Sequence, residues 1–474
     1  MTAAEQLIAQ VRPEKAGTAG DKAGSHSDLA YGLRLPHRRL TTLAAGLSAV
    51  FIGLLAPALA AAWSPASAIY TGARPQPLAL AGDTQGNGAG VMSGSAADAP
   101  LLLLQRDGIA SIPDGVAFAW NSAVPFPGGV PTFTTSTPLA EGAGAAAGGE
   151  GAGAVVVRFR TDGTDTLSAL VRDAGDRFGE AATVVPGNFD RLSDPVVAIS
   201  TAGTTVIGFT TTRPAGRRAG YVARMSGNTF RTPRVISLTG ASGLATAVGP
   251  REAGLVAWTR SGRAEISLLD DTGRAGRYRV LGKAATSGDI AATGTATGAL
   301  VAWEGPGGSI RVVRRGSASS GAFGRPVTAR ARNGSNVSGL SVALDPLGVG
   351  YVFWREGTGA GTTILVARAK AGRRFSITGV AKGAGLGKPA SAGRPIGGAV
   401  VGWAAKVGWQ ARRIPTSGGL PIQSTVSAVG TSTAVPLARP FMSAGPKARA
   451  DMAWIQASAG APGYDVMQTT EVDP

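Results

Sequence analysis

Seven residues, GLVAWTR (254–260), run apolar from the start and close on a tryptophan before the chain turns polar. The same order of positions returns as ALVAWEG (299–305), GYVFWRE (350–356), AVVGWAA (399–405) and ADMAWIQ (450–456), and earlier as VAFAWNS (116–122). Two weaker copies, at 156–159 and 206–209, end on Phe. The closing aromatics are therefore Trp120, Phe159, Phe209, Trp258, Trp303, Trp354, Trp403 and Trp454, with gaps of 39, 50, 49, 45, 51, 49 and 51 residues. Six of the eight Trp in the chain hold this one position, which makes the spacing a structural repeat.

Each copy follows a short β-prone run and a turn, and precedes a second strand-like run such as GYVARM (220–225), SIRVVRR (309–315) or TILVARA (363–369). A Gly-containing turn and an apolar restart come next. Short β runs bounded by Gly, Pro, Asp and Ser read as antiparallel hairpins, and nothing after residue 68 keeps a helical period. Each unit is thus predicted to be a four-stranded meander, and a period of 40–50 residues is that of propeller blades. The aromatic run is the second strand. Being apolar throughout instead of alternating, it is expected to be covered on both faces, with its aromatic wedged between neighbouring sheets; a ligand-stacking platform is the alternative. The fold class is all-β, a seven- or eight-bladed propeller of four-stranded antiparallel blades occupying 100–474. The last unit lacks a strand, and 100–112 is expected to supply it and close the ring. The Gly/Ala-rich stretch 69–99 reads as a linker, and EGAGAAAGGEGAG (141–153) as a floppy insertion in the first blade.

Ahead of these units, residues 1–40 are polar and expected to be disordered. Arg34, Arg38 and Arg39 then precede an uncharged apolar stretch, so 41–68 reads as a signal peptide. Ala-x-Ala sites follow, Ala58-Leu59-Ala60 and Ala66-Ser67-Ala68 among them. The alternative is an uncleaved anchor over 43–62, long enough to span a bilayer. The expected location is secreted or extracellular, with membrane attachment only through that segment.

Chemistry is bounded by what the chain lacks. It has no Cys, and its only two His, His26 and His37, lie ahead of the apolar stretch. Thiolate and imidazole catalysis and Cys- or His-ligated metals are excluded from the folded part. No cofactor and no metal site is expected, since Asp162 and Asp165 alone are too few oxygens for Ca²⁺. Removing residues 1–68 leaves 40 basic side chains against 25 acidic ones, nearly all of the former Arg. A balance this basic suits polyanions such as acidic polysaccharide or wall polymer. A nucleic-acid partner is not expected, for no basic helix and no interleaving of aromatic with basic residues occurs.

The turns after the third strands resemble the Asp-box of the sialidase/BNR-type propellers, a Ser-x-Asp-x-Gly-x-Thr-Trp hairpin. VRDAGDRF (171–178) keeps Asp173, Gly175 and Phe178; RMSGNTF (224–230) keeps Gly227, Thr229 and Phe230; RAKAGRRF (368–375) keeps Gly372 and Phe375. The resemblance covers about eight residues in three units, and implies an exported bacterial propeller with a glycoside hydrolase as the alternative function. Arg413-Ile414-Pro415 matches a sialidase signature but sits at the wrong end of the chain.

Arg also recurs near the end of the third strand, at Arg172, Arg224, Arg314, Arg368 and Arg412, with Arg315, Arg374 and Arg413 close by. In an up-and-down meander these ends emerge on one face of the ring. The eight are candidates for an anion-binding arc; solvation of strand ends and local pairing is the alternative reading. No catalytic residue is assigned. The expected function is a binding or scaffold module at the cell surface.

Overall fold

The computed structural model describes six strands between residues 62 and 125 and, short turns apart, residues 139–472 outside 427–438. Residues 1–61, with the n-region and most of the signal segment, and Trp120 lie outside the described residues.

The described residues form eight antiparallel sheets, with no α-helix among them. Numbered along the chain, sheet I takes its strands from 78–125, II from 139–189, III from 196–237, IV from 241–283, V from 290–330, VI from 337–382 and VII from 390–425. Each is a meander in which strand order follows the sequence. Sheet VIII is built from 441–472 and the N-terminal strands Ala62–Trp63 and Ser67–Gly72. First strands touch first strands from I to VIII, and that of VIII touches that of I. This closed ring is a β-propeller.

The aromatic run is the second strand of sheets II to VIII. Gly254–Arg260 is buried at six successive positions, and Ala399–Ala405 at all seven. A strand covered on both faces by neighbouring sheets has no polar side to alternate with. Phe159, Phe209, Trp258, Trp303, Trp354, Trp403 and Trp454 are all within 1% of complete burial. Each packs against the sheet before its own: Trp303 on Leu255, Ala257 and Ile266 of sheet IV, Trp403 on Tyr351 and Phe353 of sheet VI. Burying a side chain of that size is worth roughly 2–3 kcal/mol, so the aromatics are the main adhesive between sheets.

Four expectations are corrected. Residues 69–99, read as a linker, carry the strands Leu78–Gly82 and Gly88–Ser93 and most of Ser67–Gly72. The second strand of sheet I is Gly88–Ser93, which has no aromatic, so the motif at 116–122 does not mark it; Asn121–Pro125 is the outer strand. Leu101–Arg106, expected to close the last blade, is the third strand of sheet I, and closure comes from 62–72. The Gly/Ala-rich 141–153 is no insertion either: Leu139–Ala147 is the inner strand of sheet II. Small residues there answer to crowding around the channel. A Cβ on Gly144 would lie 2.4 Å from the carbonyl oxygen of Pro195 in the approach to the next inner strand.

Candidate functional site

The eight inner strands enclose a central cavity of about 360 Å³. Its wall is Ala, Gly, Ser and Thr with some Val, Ile and Leu and, from sheet VIII, Pro440, Phe441 and Met442; none of the lining residues is ionisable. Charge is found at the mouths. Where inner strands begin, Arg439 donates from Nε to the Pro389 carbonyl at 2.9 Å and from Nη2 to that of Leu340 at 2.6 Å. Solvent reaches Arg439, but the close walls desolvate its guanidinium and lower its pKa, against the pull of Asp289. Asp289 in turn accepts the backbone N–H groups of Gly339 and Leu340 at 2.6 and 3.2 Å.

The opposite mouth is formed by the turns from inner to second strand, and there the predicted arginines lie. Most of them are fastened to a neighbouring sheet. Arg172, 3% exposed, donates to the Gly151 carbonyl in its own sheet and to that of Gly88 in sheet I. Arg224 grips both oxygens of Asp173 in sheet II at 2.7 Å and also donates to Gly203. Arg314 reaches the carbonyls of Gly348 and Ala369 in sheet VI at 3.2 and 2.7 Å. It fits only because position 350 is glycine; a Cβ there would stand 1.9 Å from Nη2. Arg368 holds the carbonyls of Pro415 and Gly418 in sheet VII. Arg412 holds Pro421 in its own sheet and Val380 in sheet VI, while Arg413 pairs with the fully buried Glu471 of sheet VIII. Charge-assisted bonds of this kind contribute up to about 1.5–3 kcal/mol where both partners are buried, and less where solvent reaches the pair. These six act as clamps between or within sheets. Arg374 is exposed and stands apart.

Arg315 differs from all of them. It ends the third strand of sheet V and reaches the turn of sheet IV, where a Cβ on Gly249 would lie 3.9 Å from Nη1. Its Nε and Nη1 are buried and have no hydrogen-bond partner. Burial lowers its pKa, and the neighbouring guanidinium of Arg251 lowers it further. Two like charges are thus held together, one with two orphaned donors. Arg251 is exposed and belongs to a turn in which it and Glu252 both adopt left-handed φ, 57° and 59°. For residues other than glycine that costs about 1 kcal/mol or more each. The carboxylate of Glu252 accepts from Ser200 Oγ in sheet III and leaves the arginine pair unneutralised. The sequence singles out Arg315 only as one of eight. Arg251 carries no signal at all, because its role depends on a neighbour more than sixty residues away.

The Asp-box-like segments do lie where a third strand turns into an outer one, in sheets II, III and VI. In the first, Asp173 is the partner of Arg224 and Phe178 lies 5.0 Å under the Arg172 guanidinium. Asp165 is buried and accepts from the Leu192 N–H at 2.6 Å and from Arg158 at 3.3 Å.

No family model and no curated protein matches the chain. Solved structures similar to it include the Dos1 propeller, 10% identical with a TM-score of 0.46, over 86% of this chain and 94% of that one. The fucose-binding lectin of Aleuria aurantia, a six-bladed β-propeller, is 14% identical with a TM-score of 0.33, over 67% and 98%. The polysaccharide lyase Uly1 is 9% identical with a TM-score of 0.44, over 83% and 90%. Likenesses at this level assign no ligand.

Proposed function

We propose that the protein is an exported, non-catalytic binding module, an eight-bladed propeller that holds polyanionic polymers on the face bearing Arg251 and Arg315. The observation that carries this reading is the pair of orphaned donors on Arg315 beside a second, unneutralised guanidinium. A buried N–H without a partner costs about 1–3 kcal/mol, and the Arg251 charge adds to the cost. A carboxylate or sulfate bound at the exposed Arg251, beside Arg315, would offset the like charges of the pair. Left-handed backbone at Arg251 and Glu252 supports the same reading, since strain concentrates where a chain is shaped for a ligand. The basic excess of the chain would draw polyanions to this face from a distance. A sialidase-like hydrolase would need its carboxylates outside the channel, whose lining offers none.

Retention on immobilised heparin, eluted with salt, tests the site. The double variant Arg251→Ser/Arg315→Ser is expected to elute at clearly lower salt with a melting temperature no lower than the parent's, while Arg374→Ser elutes with the parent. Equal elution of double variant and parent would remove the assignment. Turnover on a panel of fluorogenic glycosides would replace it with the hydrolase.

A further inference from the structure

The closing strand of the ring overlaps the Ala66-Ser67-Ala68 site. Ala62 and Trp63 pair with Val472 and Glu471. Ser67 and Ala68 pair with Gln468 and Met467, and the ladder continues through Gly72 opposite Tyr464. Trp63 and Ala66 pack on the cluster that contains Trp409, Met452, Trp454 and Met467. Trp63 also walls the small cavity beside Arg412, Arg413 and Glu471. Strand Tyr464–Val472 would otherwise be the unpaired outer edge of sheet VIII, a ready template for association.

A cut after Ala68 would discard Trp63, the first rung of the ladder and the first two residues of Ser67–Gly72. A cut after Ala60 would keep every paired residue. We infer that export processing takes place after Ala60 and spares Ala68, so that the mature chain begins at Ala61 and closes its own ring with residues 62–72. This rests on reading 41–68 as an export signal. The step is hydrolysis by a membrane-bound signal peptidase: water adds across the Ala60–Ala61 bond and leaves a carboxylate on Ala60 and an α-amine on Ala61. Small side chains at Ala58 and Ala60 suit such an enzyme, as do those at Ala66 and Ala68. The two sites are therefore equal in sequence, and they differ in what the fold loses.

The test is the N-terminus and intact mass of protein collected from the medium of an exporting host that makes the full chain. The expected N-terminus is Ala61, and Ala68→Arg leaves it there. Ala60→Arg is expected to abolish that species; if it is then cut after Ala68, the shortened product should melt several degrees lower, about the loss of one half-buried Trp. An N-terminus at Ile69 in the parent overturns the inference while leaving export intact. Uncut, cell-bound protein overturns the export reading itself.

Discussion

Arg224 of sheet III presents two nitrogens to the two carboxylate oxygens of Asp173 in sheet II, both at 2.7 Å. This fork joins the end of one third strand to the turn after another, and it holds the Asp173 carboxyl below the usual range, chiefly through the hydrogen bond from Arg224. A carboxylate with a depressed folded pKa contributes stability above its unfolded value, near 3.9, and loses it as pH falls through the folded one. Asp173→Asn should therefore lower stability at pH 7 by about 1 kcal/mol and flatten the acid limb. Arg224→Lys should lose much of the same amount, because a point charge cannot reproduce the fork. Chemical denaturation at a series of pH values measures both, and equal pH slopes for parent and Asp173→Asn would contradict the assignment.

The closing tryptophans should not be equivalent. Trp303 donates its indole N–H to the Lys283 carbonyl at 3.0 Å, whereas the indole N–H of Trp258 is buried with no partner. Replacement by Phe removes similar apolar area at each site, but only at 303 does it strand an acceptor. Trp303→Phe is expected to cost about 1 kcal/mol more than Trp258→Phe, read as the difference in urea midpoints.

Asp345 is completely buried and fully used. It accepts the Val349 N–H at 2.8 Å, the Tyr351 hydroxyl at 2.9 Å and the Gly398 N–H of the next sheet at 2.9 Å. Asp345→Ala should cost about 3 kcal/mol or more, since it leaves three buried donors unpartnered. Tyr351→Phe should cost nearer 1 kcal/mol. Burial, then the Asp345 charge, raises the Tyr351 pKa. Stability from this phenol is full below pH about 10 and falls above it, where the unfolded chain ionises first. Ultraviolet titration should find Tyr351 silent until unfolding, with Tyr221, also raised by burial, titrating late.

Burial and the neighbouring Asp289 raise the pKa of Glu304. Its charge opposes folding wherever it is ionised, and protonation removes the penalty. Glu304→Gln should therefore be more stable than the parent at pH 7, and the advantage should vanish below about pH 4. Melting curves at the two pH values decide it.

Where inner strands approach, backbone replaces side chain. A Cβ on Gly294 would stand 2.1 Å from the Val248 carbonyl oxygen, and one on Gly393 2.3 Å from that of Leu344. Each Gly→Ala change is expected to destabilise by about 1–3 kcal/mol. Gly348→Ala, with open space around its Cβ, is expected to suffer only the strain of its φ of 73°.

Repeated second strands were legible because burial on two faces demands an unbroken apolar run, and a wedge between sheets demands a large closing side chain. Sheet I escaped detection since Gly88–Ser93, GAGVMS, lacks that aromatic. Residues 141–153 looked like low complexity because Gly and Ala serve equally for a loose loop and for a crowded channel wall. Composition cannot separate the two; only the distance to Pro195 does.

The sequence by itself determined the repeating four-stranded unit, the buried aromatic of each second strand from Phe159 onward, and the Arg at third-strand ends. These are local requirements of strand, turn and burial, and each is written within one period of the chain. Tertiary structure alone decided which residues close the ring, and which arginines spend their donors on neighbouring carbonyls. Val472 meets Ala62, and Arg315 comes beside the turn at Gly249 that leads into Arg251, across separations that no periodicity encodes. Whether a guanidinium clamps a sheet or keeps its donors unpartnered depends on which backbone the ring brings within 3 Å of it.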